Sequence, residues 1–172
     1  MDLRSYVRDV PDFPRDGIVF RDITPLLLDP RASAAALGLL VEHARGHGPD
    51  LVVGIEARGL IWGGALAQAL GVGFVPVRKP GKLPAETVSV AYELEYGVDA
   101  LEVHADAIAA GVRVLVHDDL IATGGTAAAT VEAVERLGGS VAACSFLIEL
   151  AFLGGRDRLT GIEVRSLISY ES

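Results

Sequence analysis

Residues 112–126, V-R-V-L-V-H-D-D-L-I-A-T-G-G-T, constrain the fold more than any other part of this chain. An apolar, β-branched run ends in two adjacent acids, and a small-residue loop rich in Gly and Thr follows. Behind it, residues 127–137 repeat apolar side chains at helical spacing (Val131, Val134, Leu137), so the unit reads strand, loop, helix. Such a loop aims backbone N–H groups and the positive end of a helix dipole at one point, which suits an anion. The hydroxyls of Thr123 and Thr126 add donors for the same oxygens. Asp118 and Asp119 are expected at the carboxyl end of the strand, where ligands of open α/β sheets bind. Carboxylates only accept hydrogen bonds, so they match sugar hydroxyls better than phosphate oxygens. The segment fits a sugar phosphate. A plain tight turn with its helix N-cap at Thr123 or Thr126 is the alternative, and it leaves two mutually repelling acids without a use.

The sequence lacks G-x-x-x-x-G-K-[ST] and has no G-x-G-x-x-G after a strand, so neither a P-loop nor a dinucleotide site is indicated. The remaining pattern alternates strands and helices. Residues 31–45 carry Leu37, Leu40, Val41 and Ala44 at helical spacing; 51–55 read as a strand, 59–70 as a helix and 72–77 as a strand. Residues 113–117, 140–149 and 163–169 supply further strands. This order implies βαβ units and a mostly parallel sheet, and nearly continuous apolar strands imply helices over both faces. Residues 87–96 differ, with Val88, Val90, Tyr92, Leu94 and Tyr96 alternating against Ser89, Ala91, Glu93 and Glu95. After a turn signal at Gly97 and Asp99, residues 101–104 would return as the second strand of a hairpin.

At 172 residues the chain is expected to form one domain with a real core. Its net charge of −8 argues against nucleic acid and anionic membranes, so affinity for a polyanion must be local, as at Arg78, Lys79 and Lys82. The single cysteine, Cys144, excludes an internal disulfide and reads as a buried thiol in an apolar strand. The first residues have no apolar signal-type segment, and no apolar run approaches ~18 residues, so the expectation is a cytoplasmic protein without a membrane span. His43, His47, His104 and His117 lack metal-ligand spacing; His43 and His47 read as helix-end or exposed groups. His117 is either a core histidine or a group that shifts the titration of Asp118.

D-D-L-I-A-T-G-G-T resembles the phosphoribosyl pyrophosphate (PRPP) signature of the type I phosphoribosyltransferases. P-D-F-P-R-D-G-I-V-F-R-D-I-T-P-L-L (11–27), G-I-E-A-R-G (54–59), V-R-K-P-G-K-L-P (77–84) and Y-E-L-E-Y-G (92–97) narrow the resemblance to the adenine phosphoribosyltransferases. The blocks cover essentially the whole chain in family order. The resemblance implies an α/β fold of the type I phosphoribosyltransferase kind: a central, mostly parallel sheet flanked by helices, a small N-terminal hood (about 1–30) and a flexible β-hairpin lid (about 79–104). The implied reaction is adenine plus PRPP giving AMP and pyrophosphate, in purine salvage.

By that resemblance Ala122, Thr123, Gly124, Gly125 and Thr126 bind the 5′-phosphate, and Asp118 with Asp119 binds the ribose diol. Glu56, Ala57 and Arg58 form the pyrophosphate turn, which in the family commonly holds a non-proline cis peptide; Arg78, Lys79 and Lys82 are further pyrophosphate ligands, some from the partner of a homodimer. Val19, Phe20 and Arg21 read the adenine edge, Phe20 either stacking on the purine or packing in the core. Glu95 is the proton-handling residue and Arg58 stabilises the leaving group, with Glu93 as the alternative acid. Mg²⁺ is the implied cofactor, held mainly through PRPP and without direct protein ligands. A different base (hypoxanthine, guanine, xanthine or orotate) is opposed by the N-terminal block and L-E-Y-G. A nucleotide-sensing module that has lost catalysis is opposed by the retained Arg58 and Glu95. Leu60 and His117 depart from residues often aromatic and apolar in the family.

Overall fold

The computed structural model describes residues 1–93 and 98–172. Its contacts divide the chain into two compact units, Met1–Leu39 and Leu40–Ser172.

In the first unit, β1 (Arg8–Pro11) pairs antiparallel with β2 (Val19–Asp22). The connection closes where the Gly17 N–H donates to Asp12 Oδ1 at 2.8 Å, with Gly17 at a φ of 82° that suits glycine. Cross-strand ion pairs follow the register: Arg8 opposes and binds Asp22, and Arg21 opposes and binds Asp9. A short helix α1 (Thr24–Leu28) precedes α2 (Pro30–His47). Asp29 caps α2, its Oδ1 accepting from the N–H groups of Arg31 and Ala32 at 2.9 Å each, while Pro30 occupies the first turn where no N–H is needed.

The second unit is built on a five-stranded sheet in the order β4-β3-β7-β8-β9, every pairing parallel. The strands are β3 (Leu51–Ile55), β4 (Gly73–Val77), β7 (Arg113–Ile121), β8 (Ser140–Leu150) and β9 (Val164–Tyr170). Helix α3 (Gly59–Leu70) joins β3 to β4, and α4 (Gly125–Arg136) joins β7 to β8. Pro76 is tolerated because β4 lies at the sheet edge. Both faces of the central strands are buried: Val114, Leu115 and Val116 are sealed in succession, as are Phe146, Leu147 and Ile148. Truncating one of these leucines to alanine would cost roughly 2–5 kcal/mol through lost burial and the cavity left. α3 packs close to the sheet through Gly54 and Gly63, where any Cβ would lie 2.7 Å from the Phe74 ring.

The second, antiparallel element is a hairpin of β5 (Thr87–Glu93) and β6 (Val98–His104). Its alternation follows the sequence, with Val90 and Tyr92 buried and Ser89 and Ala91 exposed. The apolar periodicity placed β3 and α3 at their observed bounds. Cys144 is fully buried, and burial pushes its thiol up to about 12. Among the described residues no helix is long and apolar enough to cross a membrane.

Candidate active site

β7 does not stop at the acids. Asp118, Leu120 and Ile121 continue in register against Phe146, Ile148 and Glu149 of β8, so the strand runs four residues past His117. This corrects the expected boundary at 117. The apolar pair Leu120-Ile121 keeps the ladder going, and the acids sit within the strand, before its final residues rather than at its end. The chain then turns through Ala122 and Thr123, and Gly124 adopts a left-handed φ of 79° as the N-cap of α4. No side chain caps this helix, which removes the N-cap alternative for Thr123 and Thr126. The first N–H groups of α4 have no earlier carbonyl within the helix, and they carry the positive end of its dipole. A pocket of ≈ 210 Å³ opens here, lined by all five residues of the Ala122–Thr126 loop together with Asp118.

The acid pair is held tightly. Asp118 Oδ1 accepts from the Asp119 N–H at 2.8 Å, and Asp119 Oδ2 meets Arg58 Nε at 2.8 Å. Burial, reinforced by the charge of Asp119, drives Asp118 well above the usual carboxylate range. Burial also raises Asp119, with Arg58 opposing the rise. Asp118 lies against the first residue of α3, since a Cβ on Gly59 would fall 2.6 Å from Asp118 Oδ1. Gly59 is therefore demanded by the close approach of α3 to the acid. His117 is fully buried beside this pair, with Nδ1 and Ser145 Oγ 2.9 Å apart; burial takes its pKa down to about 3. It is a neutral core histidine, and the shift of Asp118 comes from burial and Asp119.

The turn after β3 carries a cis Glu56–Ala57 peptide. Arg58 follows at the N-cap of α3 and reaches across to Asp119 of β7, so it joins the turn to the acid pair. Glu56 points to the other side: its carboxylate accepts from Arg78 Nε at 2.9 Å and from the Lys79 N–H at 2.8 Å. The Arg78 hydrogen bond, then that of the Lys79 N–H, hold Glu56 below its ordinary pKa. The Arg78 backbone also bridges Glu102 of β6 in both directions. The Lys79 ammonium ion-pairs with Asp99 and donates to the Tyr92 hydroxyl at 2.8 Å, both on the hairpin. Lys82 is exposed.

Val19, Phe20 and Arg21 lie on β2 of the first unit; Val19 is exposed, and Phe20 sets its ring edge-on to Phe13 with centroids 5.2 Å apart. Glu95 lies outside the described residues.

The family described as "Phosphoribosyl transferase domain" matches residues 27–161. An adenine phosphoribosyltransferase of Desulfitobacterium hafniense (strain Y51) is 59% identical over 170 residues, covering 99% of this chain and 98% of that protein. The chain belongs to the adenine phosphoribosyltransferase family. The solved structure of the Thermoanaerobacter pseudethanolicus member superposes with a TM-score of 0.96 at 52% identity, covering 98% of each chain. The Saccharomyces cerevisiae member, solved in complex with an imino-altritol bisphosphate and adenine, gives a TM-score of 0.89 at 44% identity over 96% of each chain. Membership accounts for the α/β fold with its five-stranded parallel sheet flanked by helices.

Two features of this family member escaped the sequence reading. One is Ser145, the partner of His117, which only the parallel register of β7 and β8 brings alongside. The other is Gly155, whose backbone touches the loop: a Cβ there would sit 2.2 Å from Ala122 O. A signal existed in the Gly154-Gly155-Arg156 triplet shortly after β8, because loops at the carboxyl ends of neighbouring strands converge on α/β ligand sites.

Proposed function

We propose that this chain transfers the 5-phosphoribosyl group of PRPP to N9 of adenine, releasing pyrophosphate and forming AMP for purine salvage. The observation that supports it best is the convergence of the Gly-Thr loop, the acid pair and Arg58 around the carboxyl-terminal part of β7. In this reading the N–H groups at the start of α4 and the hydroxyls of Thr123 and Thr126 hold the 5′-phosphate. Asp118 and Asp119 accept from the two ribose hydroxyls, and their placement fixes the anomeric carbon. Binding the diol would recruit both carboxylates in their charged form. Arg58 would then carry a delocalised charge to the departing pyrophosphate.

Glu56 has a distinct role in this scheme. A carboxylate repels pyrophosphate, so it acts by aiming Arg78 and the Lys79 backbone. Lys79 and Lys82 would meet the same pyrophosphate, some of these cations coming from the second subunit of a homodimer. Val19, Phe20 and Arg21 in the hood (about 1–30) would read adenine. The hairpin (about 79–104) would cover the site and bring Glu95 to take the proton that N9 loses. Anomeric displacement builds oxocarbenium character, so most of the rate should come from positioning and leaving-group stabilisation.

Mg²⁺ fits this site as an ion carried by the substrate. It keeps waters and binds mainly through substrate phosphates, which leaves Asp118 and Asp119 to the ribose hydroxyls. Bound to PRPP, it would neutralise charge on the leaving pyrophosphate. The reading places the protein in the cytoplasm, in keeping with its single, buried, unpaired cysteine.

The test is a nucleobase panel. Purified protein with PRPP and Mg²⁺ is given adenine, hypoxanthine, guanine, xanthine or orotate separately. Formation of AMP from adenine alone is expected. A nucleotide from another base would overturn the specificity, and no product with PRPP still bound would point to a sensing role.

A further inference from the structure

A second glycine turn stands against the phosphate loop and has no part in the scheme above. β8 ends at Leu150, a 3₁₀ turn spans Ala151–Leu153, and Gly154, at a φ of 64°, leads into another 3₁₀ turn over Gly155–Leu159. Gly155 is buried, and a Cβ built on it would lie 2.2 Å from Ala122 O and 2.8 Å from Gly124 N. The contact is mutual, since a Cβ on Gly124 would lie 2.2 Å from Gly155 O. Carbon and oxygen settle at roughly 3.3–3.6 Å even in a favourable C–H···O contact, so either methyl needs about 1 Å of movement.

The two glycines have different reasons to be glycine. Gly124 needs its left-handed φ of 79°, whereas Gly155 has no such φ and is required only by the nearness of the loop backbone. Gly155 does not line the pocket, so it touches the loop and not the ligand space. The turn is itself anchored. Arg156, the next residue, donates Nε and Nη2 to the two oxygens of Glu149 at 3.0 and 2.5 Å. Its Nη1 donates to the Val164 carbonyl at 2.7 Å, which ties the turn to β8 and β9 together. Glu149 is buried, and such two-pronged charged bonds restrict orientation as well as distance.

We infer that Gly155, fixed by Arg156 on Glu149 and Val164, is a positioning residue that sets the backbone of the 5′-phosphate loop. This rests on the reading of Ala122–Thr126 as the phosphate site. A rigid stop on one side lets the loop be preorganised, and a shift near 1 Å in such a cradle can cost on the order of 10²-fold.

The experiment compares AMP with adenosine, which differ only by the phosphate, by titration into the full chain. The AMP-to-adenosine affinity ratio isolates what the loop contributes, and a general loss of structure weakens both ligands alike. Gly155→Ala is expected to lower that ratio at least tenfold. Arg156→Gln, which loosens the turn without adding bulk, is expected to lower it at least threefold, with partial recovery in Arg156→Lys. If Gly155→Ala does not fold, Arg156→Gln alone decides. The paired Thr123→Ala and Thr126→Ala variant tests the phosphate reading separately. A ratio unchanged in the threonine variant would overturn that reading and this inference with it. A ratio lowered by the threonine variant but kept within twofold by Gly155→Ala and Arg156→Gln would overturn the positioning role alone. Equal weakening of AMP and adenosine would also overturn it, since the turn would then be general scaffolding.

Discussion

His117 makes the stability of this protein fall in mild acid by a calculable amount. The ring is fully buried beside Ser145, and burial lowers its pKa from 6.5 to about 3. The unfolded chain therefore binds a proton near pH 6.5 that the folded chain refuses until about pH 3. Stability from this group is complete above pH 6.5 and is lost as pH falls through the window down to 3. At pH 5.5 the unfolded imidazole is about ten to one protonated and the folded one neutral, which costs ~1.4 kcal/mol relative to pH 7.5. That figure depends only on the unfolded value, because pH 5.5 lies far above the folded one. Asp118 and Asp119 work in the opposite direction: their raised values favour the folded state as pH falls, so the comparison must be differential. His117→Asn keeps a hydrogen-bonding group near Ser145 and removes the titration. Urea unfolding of both proteins at pH 7.5 and 5.5, at fixed protein concentration, gives four midpoints, and pH 5.5 stays above the sequence pI of ≈ 4.9. Wild type should lose about 1.4 kcal/mol more than the variant between the two pH values. Equal losses would mean that His117 titrates alike in the folded and unfolded states.

Asp118→Asn combined with Asp119→Asn should weaken AMP and PRPP binding at least tenfold by titration, about 1.4 kcal/mol or more; intact binding would undo the diol assignment. Arg58→Lys gives up the Nε contact to Asp119 and the delocalised charge, and should lower kcat on the order of 10²-fold in steady-state kinetics. A kcat within twofold would separate Arg58 from the leaving group. Glu95→Gln should lower turnover by roughly 10²-fold or more while PRPP affinity stays near normal. Unchanged turnover would remove Glu95 from the mechanism.

Much of the fold was legible because its signals are local. An apolar run bounded by Asp50 and Glu56 fixed β3, and alternation fixed the hairpin strand through Val90 and Tyr92. The loop at Thr123 to Thr126 was legible for the same reason, since glycine spacing and the following helix are properties of one segment. What escaped depends on register between segments distant in sequence. β7 overruns His117 because β8 continues to pair with it, and nothing in H-D-D reports the partner strand. Arg58 meets Asp119 only because β3 and β7 are neighbours, and Glu56 turns to Arg78 only because β4 lies on its other side. The fate of His117 turned on Ser145, and the glycine at 155 on a backbone contact with residue 122. Sequence patterns named the chemical groups, and the parallel sheet determined which of them meet.

In the proposed reaction, the loop that follows β7 and the acid pair within that strand, just before Leu120, hold a ribose 5-phosphate. A crystal structure of the protein with AMP tests this arrangement most directly, through the position of the phosphorus atom and of the two ribose hydroxyls. Phosphate oxygens are expected within hydrogen-bond distance of the N–H groups of Gly125 and Thr126, with both hydroxyls on Asp118 and Asp119. Phosphate bound elsewhere, or ribose hydroxyls facing away from the acids, would contradict it.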